Sequence, residues 1–183
     1  MHSVEIPIPQ RARAALGASA PVALRAVGNP VLLAGPLLGL LASREFPGRV
    51  LLDTLDRVPG WVRDGRVILS GFHSPLEQQV LRSLLRRQGR AVKVLARGMA
   101  DYRPPPEERA PLADGTLLVL TGEPARVRRT TRERALARNR LVLALATELV
   151  VPYAAPGSGL AELLADWKAT QTDSTEPPPT GRT

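Results

Sequence analysis

Short apolar runs punctuate the chain between residues 37 and 153 and predict its strands. The runs are rich in Leu, Val and Ile, and they cover residues 37–42, 66–69, 91–95, 116–120 and 149–153. Continuous apolar runs of this length are typical of strands that are buried on both faces, as in a parallel sheet. The pattern therefore predicts about five strands in a mainly parallel sheet.

Between these runs, apolar residues recur at three- and four-residue spacing, which predicts amphipathic helices. The predicted helices cover residues 50–63 (interrupted at Pro59-Gly60), 75–87, 130–147 and 160–168. Strands that alternate with helices indicate an α/β protein. We predict a Rossmann-like, doubly wound fold, with a mainly parallel sheet of about five strands and helices on both faces.

The remaining segments carry no clear apolar period. Residues 1–20 predict an N-terminal arm, residues 21–170 one Rossmann-like domain, and the Thr/Pro-rich residues 171–183 a disordered tail. Residues 101–114, with three consecutive prolines, are predicted to form a polar loop.

Composition narrows the class of protein. The chain has 183 residues, of which 44% are apolar, and it has no cysteine, which excludes a disulfide framework and a cysteine metal site. Its two histidines, His2 and His73, offer no histidine metal site, so we expect neither metal nor cofactor. The longest apolar stretch, 31–42, is too short to span a membrane, and no signal peptide is evident. We expect a soluble cytoplasmic protein that does not bind membranes.

Charge points to a partner that carries phosphate. The net charge is +8, and arginines are concentrated in two segments, 82–97 and 126–140. Solvated helix faces explain such segments equally well, but a basic domain also attracts nucleotides and nucleic acids. Aromatic residues make up only 3% of the chain, with Phe72 and Tyr153 near the predicted loops. This scarcity favours contact with phosphates over stacking on bases.

Residues 66–77 contain the most informative local pattern. The run Val67-Ile68-Leu69 stops at Ser70-Gly71, and a helix start follows at Ser74-Pro75 with an acid at Glu77. Serine at the cap, proline in the first turn and glutamate three residues after the serine form a capping box. A strand, a tight turn and a helix start are typical of anion-binding sites, because backbone N–H groups and the helix dipole favour negative charge.

The carboxyl ends of the predicted strands carry small, hydroxyl and arginine residues. Ligands of doubly wound folds bind at this edge, near the reversal in strand order. The candidate phosphate-binding residues there are Ser43, Arg44, Ser70, Gly71, Phe72, His73, Arg97, Gly98, Gly157, Ser158 and Gly159. We expect the backbone amides of Gly71 and of residues 157–159 to cradle phosphate, with the side chains adding donors and charge.

Several of these strand ends together resemble the DNA-processing protein A (DprA, also called Smf) family. The carrying stretches are LLASR at 40–44, VILSGFHSPLE at 67–77, VKVLARGM at 92–99, ALARNRLVLALATELVVPYA at 135–154 and PGSG at 156–159. The family's Arg-Asn-Arg is matched by Arg138, Asn139 and Arg140, which join the candidate site. Ala42 stands where the family has glycine, and the family's Ala-x-Gly-Ile-Asp after Ser-Gly is replaced here.

The resemblance implies a Rossmann-like domain that binds a nucleotide or single-stranded nucleic acid by its phosphates and has no catalytic residues. Arg138 and Arg140 are two residues apart on a helix and do not share a face, so one of them is expected to make a structural bond. Families of this fold often form dimers through helices, so the apolar residues 141–146 predict either a homodimer contact or core.

Two other functions stay open at this point. The same superfamily includes the lonely-guy (LOG) phosphoribohydrolases, which implies hydrolysis of a nucleoside monophosphate with Glu162 as the acid or base. Glu162 falls one residue short of that family's glutamate. His73 is a second candidate for acid–base chemistry, whereas no Ser-His-Asp spacing supports Ser43 or Ser70 as a nucleophile. The third alternative is a degenerate module that only mediates assembly.

Overall fold

The computed structural model describes residues 3–100 and 102–173, and its centre is a seven-stranded sheet. The strands are β1 (Val4–Ile6), β2 (Leu24–Gly28), β3 (Leu37–Leu40), β4 (Val67–Ser70), β5 (Arg90–Leu95), β6 (Leu117–Thr121) and β7 (Glu148–Val150). The helices are α1 (Gln10–Leu16), α2 (Gly48–Leu55), α3 (Val58–Arg63), α4 (Pro75–Arg86), α5 (Pro106–Ala113), α6 (Arg132–Leu145) and α7 (Gly159–Asp173). Two short 3-10 helices lie at Gly17–Ser19 and Pro30–Leu33.

The strand order is β1-β2-β6-β5-β4-β3-β7. The five strands from β6 to β7 in this order are parallel, and they are the five predicted from the apolar runs. Strands β2 and β1 extend the sheet in antiparallel pairing beyond β6. The predicted fold class is confirmed, with a sheet that is two strands larger than predicted. Strands β1 and β2 had no continuous apolar run, because polar residues such as Glu5 and Arg25 interrupt them.

Helices cover both faces of the sheet, and each face has its own core. Side chains alternate along β6, so that Leu118 and Leu120 enter one core while Leu117 and Val119 enter the other. Helices α1, α6 and α7 pack on the first face, and α2 to α5 on the second. Residues 141–145 are buried in the first core, which accounts for the apolar second half of α6.

The prediction of a polar loop over 101–114 is wrong for residues 106–113, which form α5. Pro106 begins the helix, where its missing N–H costs nothing, and Glu107 and Glu108 favour the positive end of the dipole. Glu108 is buried, pairs with Lys93 of β5 and accepts a hydrogen bond from the Tyr102 hydroxyl at 2.7 Å. The residues that begin this helix and the residue that forms the buried pair are polar. The segment therefore has no apolar period from which a helix could be predicted. Asp101 lies outside the described residues.

Residues 3–20 belong to the packed structure. The segment predicted as an arm, 1–20, supplies β1 and α1, and Ala12 is fully buried. Arg11 donates a 2.6 Å hydrogen bond to the Leu145 carbonyl, at the C-terminal end of α6, where a cation is favourable. The domain boundary at residue 21 stays a prediction.

The last helix is longer than predicted, because α7 continues through residues 171–173. The rest of the predicted tail, 174–183, lies outside the described residues. Among residues 3–100 and 102–173, no helix combines the length and the apolar character needed to cross a membrane.

Candidate functional site

The strand order reverses between β3 and β7. The chain moves from β3 outward through β4, β5 and β6, and then returns to place β7 on the other side of β3. A crevice therefore forms at the carboxyl ends of β3, β4 and β7, where doubly wound folds bind ligands.

A cleft of about 730 Å³ occupies this position. Its lining combines three strand-end loops with the first half of α6, and among the lining residues are Ser43, Arg44, Glu45, His73, Thr131, Arg132, Arg138, Asn139, Ser158 and Gly159. Seven of the predicted site residues come together here: Ser43, Arg44, His73, Arg138, Asn139, Ser158 and Gly159.

The predicted capping box at the start of α4 is present, and its Glu77 carboxylate also binds the backbone at the end of β3. The Ser74 hydroxyl accepts the Glu77 N–H at 3.3 Å, and one oxygen of the buried Glu77 carboxylate accepts the N–H groups of His73 at 2.8 Å and Ser74 at 3.3 Å. The other oxygen accepts the Ala42 N–H, at the end of β3, at 3.0 Å. Glu77 therefore accepts hydrogen bonds from backbone N–H groups after β3 and after β4, and so it connects these two loops.

Arg138 lies on the backbone of the β4 turn. A Cβ built on Gly71 would lie 2.6 Å from Arg138 Nε, so only glycine leaves room for the guanidinium there. Arg138 Nε donates to Asn139 Oδ1 at 3.1 Å, and burial lowers the pKa of Arg138 while the Glu77 carboxylate opposes that shift. Arg138 thus holds positive charge at the floor of the cleft.

His73 lies at the rim of the cleft, between the strand-end cations. Burial and the positive charges of Arg138 and Arg44 lower the pKa of His73 below its usual value, and the Glu77 carboxylate partly offsets them. Near pH 6.5 a larger fraction of the His73 imidazole is therefore neutral than in a fully solvated histidine.

The start of α7 forms the opposite wall. The Ser158 hydroxyl accepts the Ala161 N–H at 3.2 Å and so caps this helix. Ser43 accepts the Ala155 N–H at 2.8 Å and lies 3.4 Å from the Ser158 hydroxyl, which joins the end of β3 to the loop before α7. Gly157 has a φ of +68° and precedes the cap without lining the cleft.

Three predicted residues lie beneath the cleft. Ser70 and Phe72 are buried, and Gly71 supports Arg138. The Ser70 hydroxyl accepts the Phe72 N–H at 3.1 Å, which holds Phe72 in a left-handed conformation at φ +47°. These residues shape the turn that positions His73 and Arg138.

Arg97 and Gly98 follow β5 and line a separate small cavity with the loop after β6. The Gly98 N–H donates to the Val127 carbonyl at 2.7 Å, and a Cβ on Gly98 would lie 2.3 Å from the Pro124 oxygen. Gly98 therefore anchors the arginine-rich loop that leads into α6, beside the exposed Arg97.

Arg140 points away from the cleft, as its two-residue offset from Arg138 predicts. It lines a cavity of about 300 Å³ with Leu16, Pro21, Gly122 and Glu123. Arg138 touches this cavity as well, so its side chain lies between the two spaces.

Arg132 and Thr131 line the cleft but were not among the predicted site residues. The concentration of arginines in segment 126–140 was the signal in the sequence for this part of the site. The structure shows that Arg132 and Arg138 of this segment line the crevice. Within the described part of the chain, no group of three acidic or histidine side chains is arranged to hold a metal ion.

The fold and the cleft together define a Rossmann-type α/β domain with a basic crevice at its switch point. The family model of DNA recombination-mediator protein A matches residues 4–169, and the chain belongs to that family. No curated protein matches the sequence.

Solved structures of DNA processing protein A share this fold. DNA processing protein A (DprA) from Streptococcus pneumoniae superimposes with a TM-score of 0.66 at 22% identity, over 82% of this chain and 53% of that one. DNA processing protein A from Helicobacter pylori, whose structure addresses its mode of single-stranded DNA binding, gives a TM-score of 0.74 at 20% identity, over 92% of this chain and 78% of that one. The chain thus spans about half of the S. pneumoniae protein.

Proposed function

We propose that this protein binds single-stranded DNA in DNA processing, by holding phosphates in the cleft. The observation that carries the proposal is the convergence of Arg44, Arg132 and Arg138 on one crevice at the switch point of the sheet. Arginine guanidinium groups recognise phosphate oxygens with charge-assisted hydrogen bonds. The H. pylori relative is described as a single-stranded DNA binding protein, which supports the same function here.

The charge balance of the cleft agrees with an anionic ligand. Two carboxylates line it, Glu45 and Glu77. The Glu77 carboxylate accepts three backbone N–H groups and lies beside Arg138, so nearby positive charge offsets its negative charge. Glu45 is exposed, where solvent screens its charge.

The test is fluorescence anisotropy of labelled single-stranded DNA at two salt concentrations. Arg44→Ala and Arg138→Ala should each weaken binding, and affinity should fall steeply with salt, because phosphate contacts release counterions. Arg140→Ala is the matched control, since it removes the same charge from the same helix but outside the cleft. Unchanged binding in Arg44→Ala would instead favour a module that only mediates assembly.

The phosphoribohydrolase alternative has less support. Glu162 is exposed and is not among the residues that line the cleft. Release of base from nucleoside monophosphates, abolished in Glu162→Ala, would revive this alternative. Homodimerisation and a cytoplasmic location stay predictions from the sequence.

A further inference from the structure

A row of polar and basic residues runs along α4 away from the cleft. Gln78, Arg82 and Arg86 are all exposed and follow one another at four-residue spacing, so they share one face of the helix. Gln78 Nε2 donates to the His73 carbonyl at 3.0 Å, which places the start of the row beside the cleft.

The row leads into a groove of about 950 Å³ between α4 and α5, at the amino ends of β5 and β6. Arg82 and Arg86 of α4 and Arg90 at the start of β5 line it, together with Glu107 of α5 and Asp114 just after that helix. Within residues 3–100 and 102–170, no carboxylate lies within salt-bridge distance of those three arginines. Other arginines do have such a partner: Arg25, Arg49, Arg63, Arg66 and Arg134.

The separation between cleft and groove suits a single strand of nucleic acid. Helix α4 has 12 residues, which at 1.5 Å per residue is about 18 Å. A stacked strand advances about 3.4 Å per nucleotide, so about five nucleotides cover this length.

We propose that single-stranded DNA held in the cleft continues along α4, where Arg82, Arg86 and Arg90 bind its phosphates in the groove. This proposal rests on the proposed function of the cleft. The acidic side chains of α5 repel the backbone and keep it on the α4 side. Contacts of this kind read no bases, so the extension adds affinity and length without adding sequence preference.

The test compares two labelled oligothymidylates, one of about 20 nucleotides and one of about three, which spans about 10 Å and therefore cannot both occupy the cleft and reach the far end of α4. The variant replaces Arg82, Arg86 and Arg90 with Gln. The control replaces Arg13, Arg49 and Arg63 with Gln, which removes three exposed arginines outside the groove. Thermal unfolding of both variants verifies that they fold.

The groove variant should lose about tenfold in affinity for the long oligonucleotide, and its salt slope should fall by about two, because each phosphate contact on a single strand contributes about 0.7. Its affinity for the short oligonucleotide should match wild type, and the control should lose much less. Equal losses in the groove variant and the control would overturn the proposal.

The failure of the proposed function has a different signature. If the wild type binds neither oligonucleotide, or Arg44→Ala leaves both affinities unchanged, the cleft proposal fails and the α4 extension fails with it. If Arg44→Ala weakens both but the groove variant binds the long oligonucleotide as wild type does, only the extension is overturned.

Discussion

Two helices begin at the cleft, and the backbone N–H groups just before their first turns have different acceptors. At α4, Ser74 caps the helix and the Glu77 carboxylate accepts the N–H groups of His73 and Ser74. At α7, Ser158 caps the helix in the same way, but Ala161 stands at the third helical position, where α4 has Glu77. One helix start is therefore neutralised by its own side chain, and the other carries no side-chain carboxylate at that position.

The comparison shows that a strand, a tight turn and a helix start do not by themselves make an anion site. When the third helical residue is a glutamate, its own carboxylate occupies the backbone N–H groups that an anionic ligand would otherwise bind. At α4 the carboxylate also binds the Ala42 N–H, so that helix start organises the site structurally. Positive charge for a ligand comes from Arg44, Arg132 and Arg138 instead.

Loss of the Glu77 carboxylate is expected to have the largest effect. Glu77→Ala leaves the N–H groups of Ala42, His73 and Ser74 without their acceptor, and an unsatisfied buried donor costs roughly 1–3 kcal/mol. We expect the free energy of unfolding to fall by about 3 kcal/mol, measured by urea denaturation.

The matched control for that prediction is Glu162→Ala, which removes the exposed first-turn acid of α7. It should change the free energy of unfolding by less than about 1 kcal/mol, because only its interaction with the helix dipole is lost. Similar losses in the two variants would contradict the distinction between the helix starts.

A methyl group on Gly71 should displace the cation that the α4 turn supports. In Gly71→Ala the new Cβ would lie 2.6 Å from Arg138 Nε, and the flexible arginine moves more easily than the backbone. We expect the affinity for single-stranded DNA to fall about tenfold, the value of one charge-assisted contact, with little change in thermal stability. Gly35→Ala is the control, since a Cβ there meets nothing within 4 Å. An unchanged affinity in Gly71→Ala would show that the position of Arg138 does not matter for binding.

Removal of the α7 cap should have a smaller effect on stability. Ser158→Ala leaves the Ala161 N–H without its side-chain acceptor. Loss of an N-cap serine costs about 1 kcal/mol, so we expect a drop of that size in urea denaturation. Ser74→Ala should cost more, because the same cap belongs to the reciprocal box with Glu77. The reverse order of the two losses would contradict the view that α4 has the tighter start.

The parallel part of the fold could be predicted from the sequence because its signals are local. The buried runs of β3 to β6 have no polar interruption long enough to hide them, and the edge strand β7 carries the apolar Leu149 and Val150. The helix of 75–86 has both a cap and an apolar stripe. Strand β2 and helix α5 could not be predicted in this way. Polar residues in these elements, such as Arg25 and Glu108, form ion pairs with Glu5 and Lys93, which are distant in the sequence.

The candidate site shows the same limit. Serine and arginine residues at strand ends indicated the crevice, because the carboxyl ends of parallel strands meet at one edge. The contact of Glu77 with Ala42, 35 residues away, has no local signal. The close approach of Arg138 to Gly71 has no local signal either, because it depends on where α6 crosses the end of β4.

The smallest expected effect concerns His73, which belongs to the α4 side of the comparison. Burial, Arg138 and Arg44 lower its pKa in the free protein, against the opposing charge of Glu77. A bound phosphate adds negative charge beside the imidazole and raises that pKa, so binding takes up a proton and strengthens as the pH falls from about 7.5 to about 5.5. Without DNA the sign is opposite: the unfolded chain binds the proton more tightly, so stability falls as the pH drops below about 6.5.

Anisotropy across this pH range checks the prediction. We expect wild-type affinity to rise by about threefold toward acid pH, because the bound phosphate raises the pKa of His73. His73→Gln, which keeps a polar side chain but does not titrate, should show a flat profile, whereas Arg140→Ala should keep the wild-type slope. A pH dependence that persists in His73→Gln would place the titrating group elsewhere and remove His73 from contact with the phosphate.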